Sequence, residues 1–293
     1  MTYPRYTDLL RTLPATVPFV GPEEQERERG RAFGARLGAN EQNFGPSPKA
    51  IEAMRNSAAE IWKYPDSTSH GLRRAIAETH AIAPENILVG EGIDGILGYL
   101  VRMLVAPGDA VVTSDGAYPT FNYHVVGFGG ALHKVPYKGD HEDPAALFAK
   151  AREVNAKLVY LSNPDNPMGS WYKGADIVTA MDDLHEDCLF VLDEAYVEFA
   201  PEGTAAPLNA DDPRVIRTGR RPRGPGPRKG ETNGLDRRTD ARLDRARDPR
   251  LRVSALLLRG RVLGRARDGA LGADALGPTH PAHRLRPGEL ARA

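Results

Sequence analysis

"ILVGEGIDGILGYL", residues 87–100, decides how the chain is read. An apolar run closes at Val89, glycines follow at 90, 92 and 95, and a helix-like stretch begins. A G-x-G-x-x-G turn between strand and helix leaves backbone N–H groups and the positive end of a helix facing one point, where an anion is stabilised. Twenty residues beyond Gly95, Asp115 closes the run "AVVTSD", close to where a dinucleotide enzyme holds its ribose. Two ligand readings open here, a nicotinamide site or a cradle for some other phosphate. The dinucleotide reading needs the first strand-to-helix junction of its unit, yet at least two helical segments precede this turn. A plain tight turn into a helix is the bland alternative.

Outward from that turn, apolar runs recur at 86–89, 110–114, 131–136, 157–162, 188–193 and 213–217. Helical patterns around 93–105, 120–127, 143–153 and 174–186 separate them. This alternation predicts an α/β protein with a mainly parallel sheet, whose ligands lie beyond the C-terminal ends of the strands. Upstream, Ser47 and Pro48 read as the N-cap and first position of an amphipathic helix. Three strand ends carry polar groups: the Gly90–Gly95 turn, "NPDNPMG" after "KLVYLS", and "DEAY" after "CLFVL". A parallel sheet brings all three to one edge. "FVLDEAY" also resembles the Mg-binding strand of P-loop ATPases, but no G-x-x-x-x-G-K-[ST] run precedes it. Asp193 ends a buried strand, a costly place for a carboxylate unless it is paired.

The 293 residues carry a formal net charge of zero, which argues against nucleic-acid and membrane partners. A single cysteine, Cys188, cannot form an internal disulfide and fits a reducing compartment. No apolar run reaches membrane-spanning length and no apolar signal core opens the chain, so a cytoplasmic protein is expected. The zero charge hides a split. Residues 1–217 hold 20 Lys+Arg and 31 Asp+Glu, whereas residues 218–293 hold 19 and 8, giving −11 and +11. All 20 aromatic residues lie before the break, and Arg, Gly, Ala and Pro make up 46 of the last 76 residues.

As a set the motifs resemble a known family, the fold-type I aminotransferases that use pyridoxal 5′-phosphate, and within it the histidinol-phosphate aminotransferase branch. "NEQNFGPSPKAIEAM", "YPD…LRRAIAE", "VGEGIDGIL", "PGDAVVTSDGAYPTF", "NPDNPMG" and "VLDEAYVEF" follow in the family's order over roughly residues 10–217. The resemblance implies a partial cofactor-binding large domain at 37–217, an N-terminal arm at 1–36 and a non-homologous tail at 218–293. It also implies a homodimer that takes an amino donor and a keto acceptor, or imidazole acetol phosphate in histidine biosynthesis. Related decarboxylases share these motifs, so the resemblance leaves amino transfer and decarboxylation both open. No metal is implied.

Carried over residue by residue, the resemblance puts the cofactor phosphate on the backbone of Gly92, Ile93 and Asp94. Phe121 falls where an aromatic ring stacks on the pyridine. Asn166 and Tyr196 would bond its 3′ oxygen from two sides, and Asp193 would pair with its nitrogen. Tyr64 matches a tyrosine reaching the phosphate of a neighbouring subunit, and Asn40 and Glu41 lie close to the substrate.

The family also needs a lysine for its Schiff base and proton transfer, a few residues after the strand matching "RVIR". Here the chain reads "RVIRTGRRPRGPGPRKGETNG". No lysine stands in that place. Arg221 is nearest, and a guanidinium stays protonated. Lys229 is the tail's one lysine, set among Pro and Gly. The chain as written is therefore expected to be inactive, with no catalytic residue assigned. The tail's composition matches a GC-rich coding region read in a wrong frame, so a frameshift near residue 218 is the expected origin. The rival is a non-catalytic protein whose basic tail binds a polyanion. "SALLLRGRVLGRA" reads as a short helix, and the rest of the tail has too little apolar surface to order.

Overall fold

The computed structural model describes residues 5–13, 20–36, 38, 40, 45–80, 82–208, 212–219 and 255–257. Four helices come first: α1 (Asp8–Thr12), α2 (Pro22–Arg29), α3 (Pro48–Ser57) and α4 (His70–His80). Strand and helix then alternate through β1 (Ile87–Val89), α5 (Gly92–Leu104), β2 (Ala110–Ser114), α6 (Pro119–Gly127), β3 (Ala131–Val135), α7 (Pro144–Glu153), β4 (Leu158–Ser162), α8 (Gly174–Ala180) and β5 (Leu189–Glu194). β6 (Val215–Gly219) and β7 (Ala255–Leu257) complete the sheet.

Local chemistry starts several of these elements where the sequence places them. The Ser47 hydroxyl accepts from the Ala50 N–H at 3.1 Å with Pro48 at the first position of α3. Asp143 caps α7 in the same way, accepting from the Ala146 N–H at 3.1 Å ahead of Pro144. α5 turns Ile96, Leu97, Leu100 and Val101 inward, one apolar face at helical spacing.

The sheet order is β1-β7-β6-β5-β4-β2-β3. β2 to β6 are mutually parallel, while β7 runs antiparallel to both β1 and β6. β4 is buried at all five positions, as a central strand covered on both faces must be. Its side chains alternate between two cores. Leu158 and Tyr160 join Ile96, Leu100 and Val125 on one face, while Val159 and Leu161 join Phe148, Ile177 and Phe190 on the other. Phe148 and Phe190 meet edge to face, ring centroids 5.1 Å apart.

Two expectations are corrected. The helix expected at 174–186 ends at Ala180 and continues as a 3-10 turn over Met181–Asp183. The reading of "SALLLRGRVLGRA" as a helix fails for Ala255–Leu257, which form a strand. All three pair with β1, and Leu256 and Leu257 pair with β6 as well, so sheet hydrogen bonds outweigh a weak helical tendency. Apart from Thr218, Gly219 and β7, the expectations for residues 218–293 lie outside the described residues. Among the described residues no helix is long and apolar enough to cross a membrane.

Candidate active site

Parallel pairing sets Ser162 beside Asp193 and Asp193 beside Thr218. The loops leaving β4 and β5 therefore start side by side, and the Asn163 N–H donates to the Asp193 carbonyl at 2.8 Å. A solvent-open cleft lies over this edge, walled by Ile93, Tyr118, Asn166, Asp193, Ala195 and Tyr196. Four of these, Ile93, Asn166, Asp193 and Tyr196, are among the residues singled out in the sequence.

Asp193 is 6% exposed. Its carboxylate accepts from the Tyr160 hydroxyl at 2.8 Å and from the Ala195 N–H at 3.0 Å. Burial pushes this carboxyl above its ordinary range, and the Tyr160 and backbone bonds pull it part of the way back. A buried carboxylate of this kind is completed by a cation, and the cavity is the open side from which one arrives. A protonated ring nitrogen fits that donor set.

The turn before α5 supplies the anion end. Gly92 sits at φ +85°, a conformation that favours glycine, and its N–H folds back onto the Gly90 carbonyl at 2.9 Å. Gly92 thus shapes the turn while its own N–H is engaged. Glu91, at the N-cap, makes no side-chain capping bond, so no cap side chain covers the first-turn N–H groups of α5 at Ile93 and Asp94. The Asp94 carboxylate accepts from the Tyr118 hydroxyl at 2.6 Å, tying this turn to the loop after β2. Burial, and then that bond, push the Tyr118 phenol up to about 12.

The segment just past the arm reaches the same place. Asn40 Nδ2 donates to the Tyr196 hydroxyl at 3.0 Å. Glu41 lies outside the described residues. Tyr64 is fully exposed, beside Ile61 at 82% and Trp62 at 76%.

Phe121 departs from expectation. It is wholly buried, and its ring stacks on Tyr160 with centroids 4.4 Å apart. Tyr118, three residues earlier, lines the cavity instead. An unadorned apolar ring gains most in the core, whereas a phenol keeps its hydroxyl at a polar wall. Sequence reasoning passed over Tyr118, although its place in the loop after β2 was a usable signal. It also passed over Asn163, which is 1% exposed. The Asn163 amide donates to the Tyr172 and Thr204 carbonyls and accepts from the Tyr172 N–H, pinning the base of the "NPDNPMG" loop. Asp115, the ribose candidate, pairs with Lys134 at the surface, both side chains largely exposed. The glycine turn follows an outer strand whose neighbour is antiparallel, not the first parallel unit a dinucleotide fold requires. Among the described residues no group of three potential ligands could hold a metal.

Residues 34–219 match the family aminotransferase class I and II. The histidinol-phosphate aminotransferase of Anaeromyxobacter sp. (strain Fw109-5) is 40% identical over 184 residues, 62% of this chain and 50% of that protein. The one from Dinoroseobacter shibae is 36% identical over 167 residues, 57% of this chain and 46% of its own length. A crystal structure of histidinol-phosphate aminotransferase from Sinorhizobium meliloti in complex with pyridoxal-5′-phosphate superposes with a TM-score of 0.74 at 42% identity, covering 91% of this chain and 66% of that one. The chain spans about half the length of the curated relatives it matches, and the family match stops at Gly219.

Proposed function

The chain belongs to the class I and II aminotransferases, and from that membership we propose that it derives from a cytoplasmic, pyridoxal-phosphate-dependent transaminase of the histidinol-phosphate type. The observation that carries the proposal is the buried, cation-seeking Asp193 facing a cavity shared with Asn166 and Tyr196. In that reading the first-turn N–H groups of Ile93 and Asp94 hold the phosphate. Asp193 keeps the ring nitrogen protonated, and Asn166 and Tyr196 bond the ring oxygen. When bound, pyridoxal phosphate supplies an electrophilic carbonyl and an electron-accepting ring. The chain's own residues bind and orient that group. Asn40 holds the Tyr196 hydroxyl and closes the substrate side. The exposed Ile61, Trp62 and Tyr64 support a homodimer in which a second copy covers this surface.

We further propose that this chain binds the cofactor without a covalent link and does not turn over. Among the described residues none that walls the cavity is a lysine, and Arg217 in β6 is committed to an ion pair with Glu194. Incubation with pyridoxal phosphate followed by borohydride should label no specific lysine; stoichiometric labelling of Lys229 sinks the reading. The charge reversal at 218, together with a family match that stops at Gly219, supports a shift of reading frame there. Resequencing the gene across codons 205–293 tests it. Another frame encoding a lysine-bearing stretch and an aromatic-containing domain restores an ordinary aminotransferase. If no frame does so, the tail is genuine, and its polyanion binding is tested by truncation at Arg217.

A further inference from the structure

Two acidic side chains are buried under the loop that carries Asn166. Glu142, just before α7, is 1% exposed, and Asp165 is 4% exposed. Glu142 accepts from the Ser114 hydroxyl at 2.6 Å and from the Ser162 N–H at 3.0 Å, so it joins the ends of β2 and β4. Asp165 organises the turn beyond β4. Its N–H donates to the Ser170 carbonyl at 2.8 Å, and its carbonyl accepts from the Gly169 N–H at 3.0 Å. Its Oδ2 accepts from the Tyr137 hydroxyl at 3.0 Å. Its other oxygen, Oδ1, is buried with no hydrogen-bond donor. The Glu142 and Asp165 carboxyls lie within hydrogen-bonding reach of each other. Two buried carboxylates in contact cannot both be ionised cheaply, and a buried acceptor without a donor is costly. One proton between them removes both penalties.

We propose that Glu142 keeps a proton at neutral pH, donates it to Asp165 Oδ1, and by this bond fixes the turn that aims Asn166 into the cavity. Glu142 is thus a positioning residue. Its connection to function rests on the aminotransferase reading; its protonation does not. Burial pushes the Glu142 carboxyl up to about 8, with Asp165 adding to the rise. The other ionisable groups facing the pair are the phenols of Tyr137, Tyr160 and Tyr172. His141 packs its ring edge on Tyr172, and Asp143 also bears on Tyr172.

The sign follows from proton linkage. The unfolded chain loses the Glu142 proton near its ordinary value of 4.5, while the folded chain keeps it to about 8. Stability from this group is therefore full below the first value and lost as pH rises through the second. Above that point the like charges loosen the turn.

The test uses the full chain and two readouts: pyridoxal phosphate binding by absorbance titration, and thermal unfolding without cofactor, both across pH 5 to 9. In the parent, binding should weaken about tenfold from pH 7 to pH 9, and the unfolding midpoint should fall as pH rises from 5 to 8. Glu142→Gln, a permanent amide donor, should lessen both slopes, leaving the part of the unfolding slope that buried Asp193 contributes. Should that variant not fold, Asp165→Asn supplies the donor from the other side and should lessen both slopes by a smaller amount, because burial alone still raises Glu142. Unchanged slopes in the variant overturn the shared proton. A lessened unfolding slope with an unaltered cofactor profile overturns the positioning role. If no cofactor binds at any pH, the aminotransferase reading fails, while the unfolding slope still decides the acid pair.

Discussion

The chain up to Tyr64 forms an arm side wider than the arm itself, and it and the sheet are built on different terms. α1, α2 and α3 bury no residue, whereas β4 buries every one of its five positions. Both reach the cavity, the sheet through Asp193 and the arm side through Asn40 on Tyr196. The sheet side of the site therefore stands on its own packing. The arm side offers exposed Met54, Ile61 and Trp62 to something else. A second copy of the chain would turn that weak half into an interface core.

The largest expected effect breaks the sheet side. Phe148→Ala should lose about 3–5 kcal/mol of unfolding free energy in a denaturant titration, since the ring fills a closed core against Phe190. A loss under about 1 kcal/mol would mean that this core is not continuous. Asp193→Asn should separate binding from folding. If Asp193 holds the ring nitrogen as proposed, cofactor affinity should fall about tenfold or more, because that nitrogen loses its buried counter-charge. Folding stability should move the other way. The Asp193 carboxyl is raised by burial, so its contribution is present at low pH and lost as pH rises through its folded value. The variant should therefore gain on the parent at pH 8 and lose that gain toward pH 4, as read from unfolding midpoints.

Two smaller effects sharpen the arm side. Ser47→Ala removes the α3 cap and should cost about 1 kcal/mol, seen as faster amide exchange within α3 rather than across the sheet. Equal acceleration in β4 and β5 would show that the arm folds with the sheet. Trp62→Ala should change the monomer's folding stability by no more than about 0.5 kcal/mol, yet weaken concentration-dependent dimerisation in sedimentation. A dimer indifferent to this change would move the interface elsewhere.

What could be read in advance follows the same division. The strand at 110–114 has the expected limits, β1, β3 and β4 deviate by one residue at one end, and β5 and β6 lie one and two residues further along the chain than expected. Continuous apolar runs mark strands buried on both faces, and no other element competes for them. Asp193 was legible because a polar residue closing such a run has a fixed address at the sheet edge, and Asn166 and Tyr196, a few residues past such ends, were legible through the family resemblance. Glu142 was not legible. It stands in "KGDHEDP", where four neighbouring polar residues give no sign of which one turns inward. Phe121 was expected at the cavity and Tyr118 lines it, and the two are hard to tell apart because both are aromatic within one turn of chain. Only the packing of Tyr160 decides which of them is covered. β7 escaped because three residues carry no period, and its strand state comes from its neighbours' backbones.

That last strand sets an order of assembly. Among the described residues β1 touches the sheet only through β7. During synthesis, β2 to β6 can all be in place once residue 219 has been made, but Val89 and the turn that follows it have no strand beside them until residue 257 arrives. The Asp193 end of the cavity is thus completed early by the growing chain. The Gly90–Gly95 end, although encoded first, is the last to be anchored.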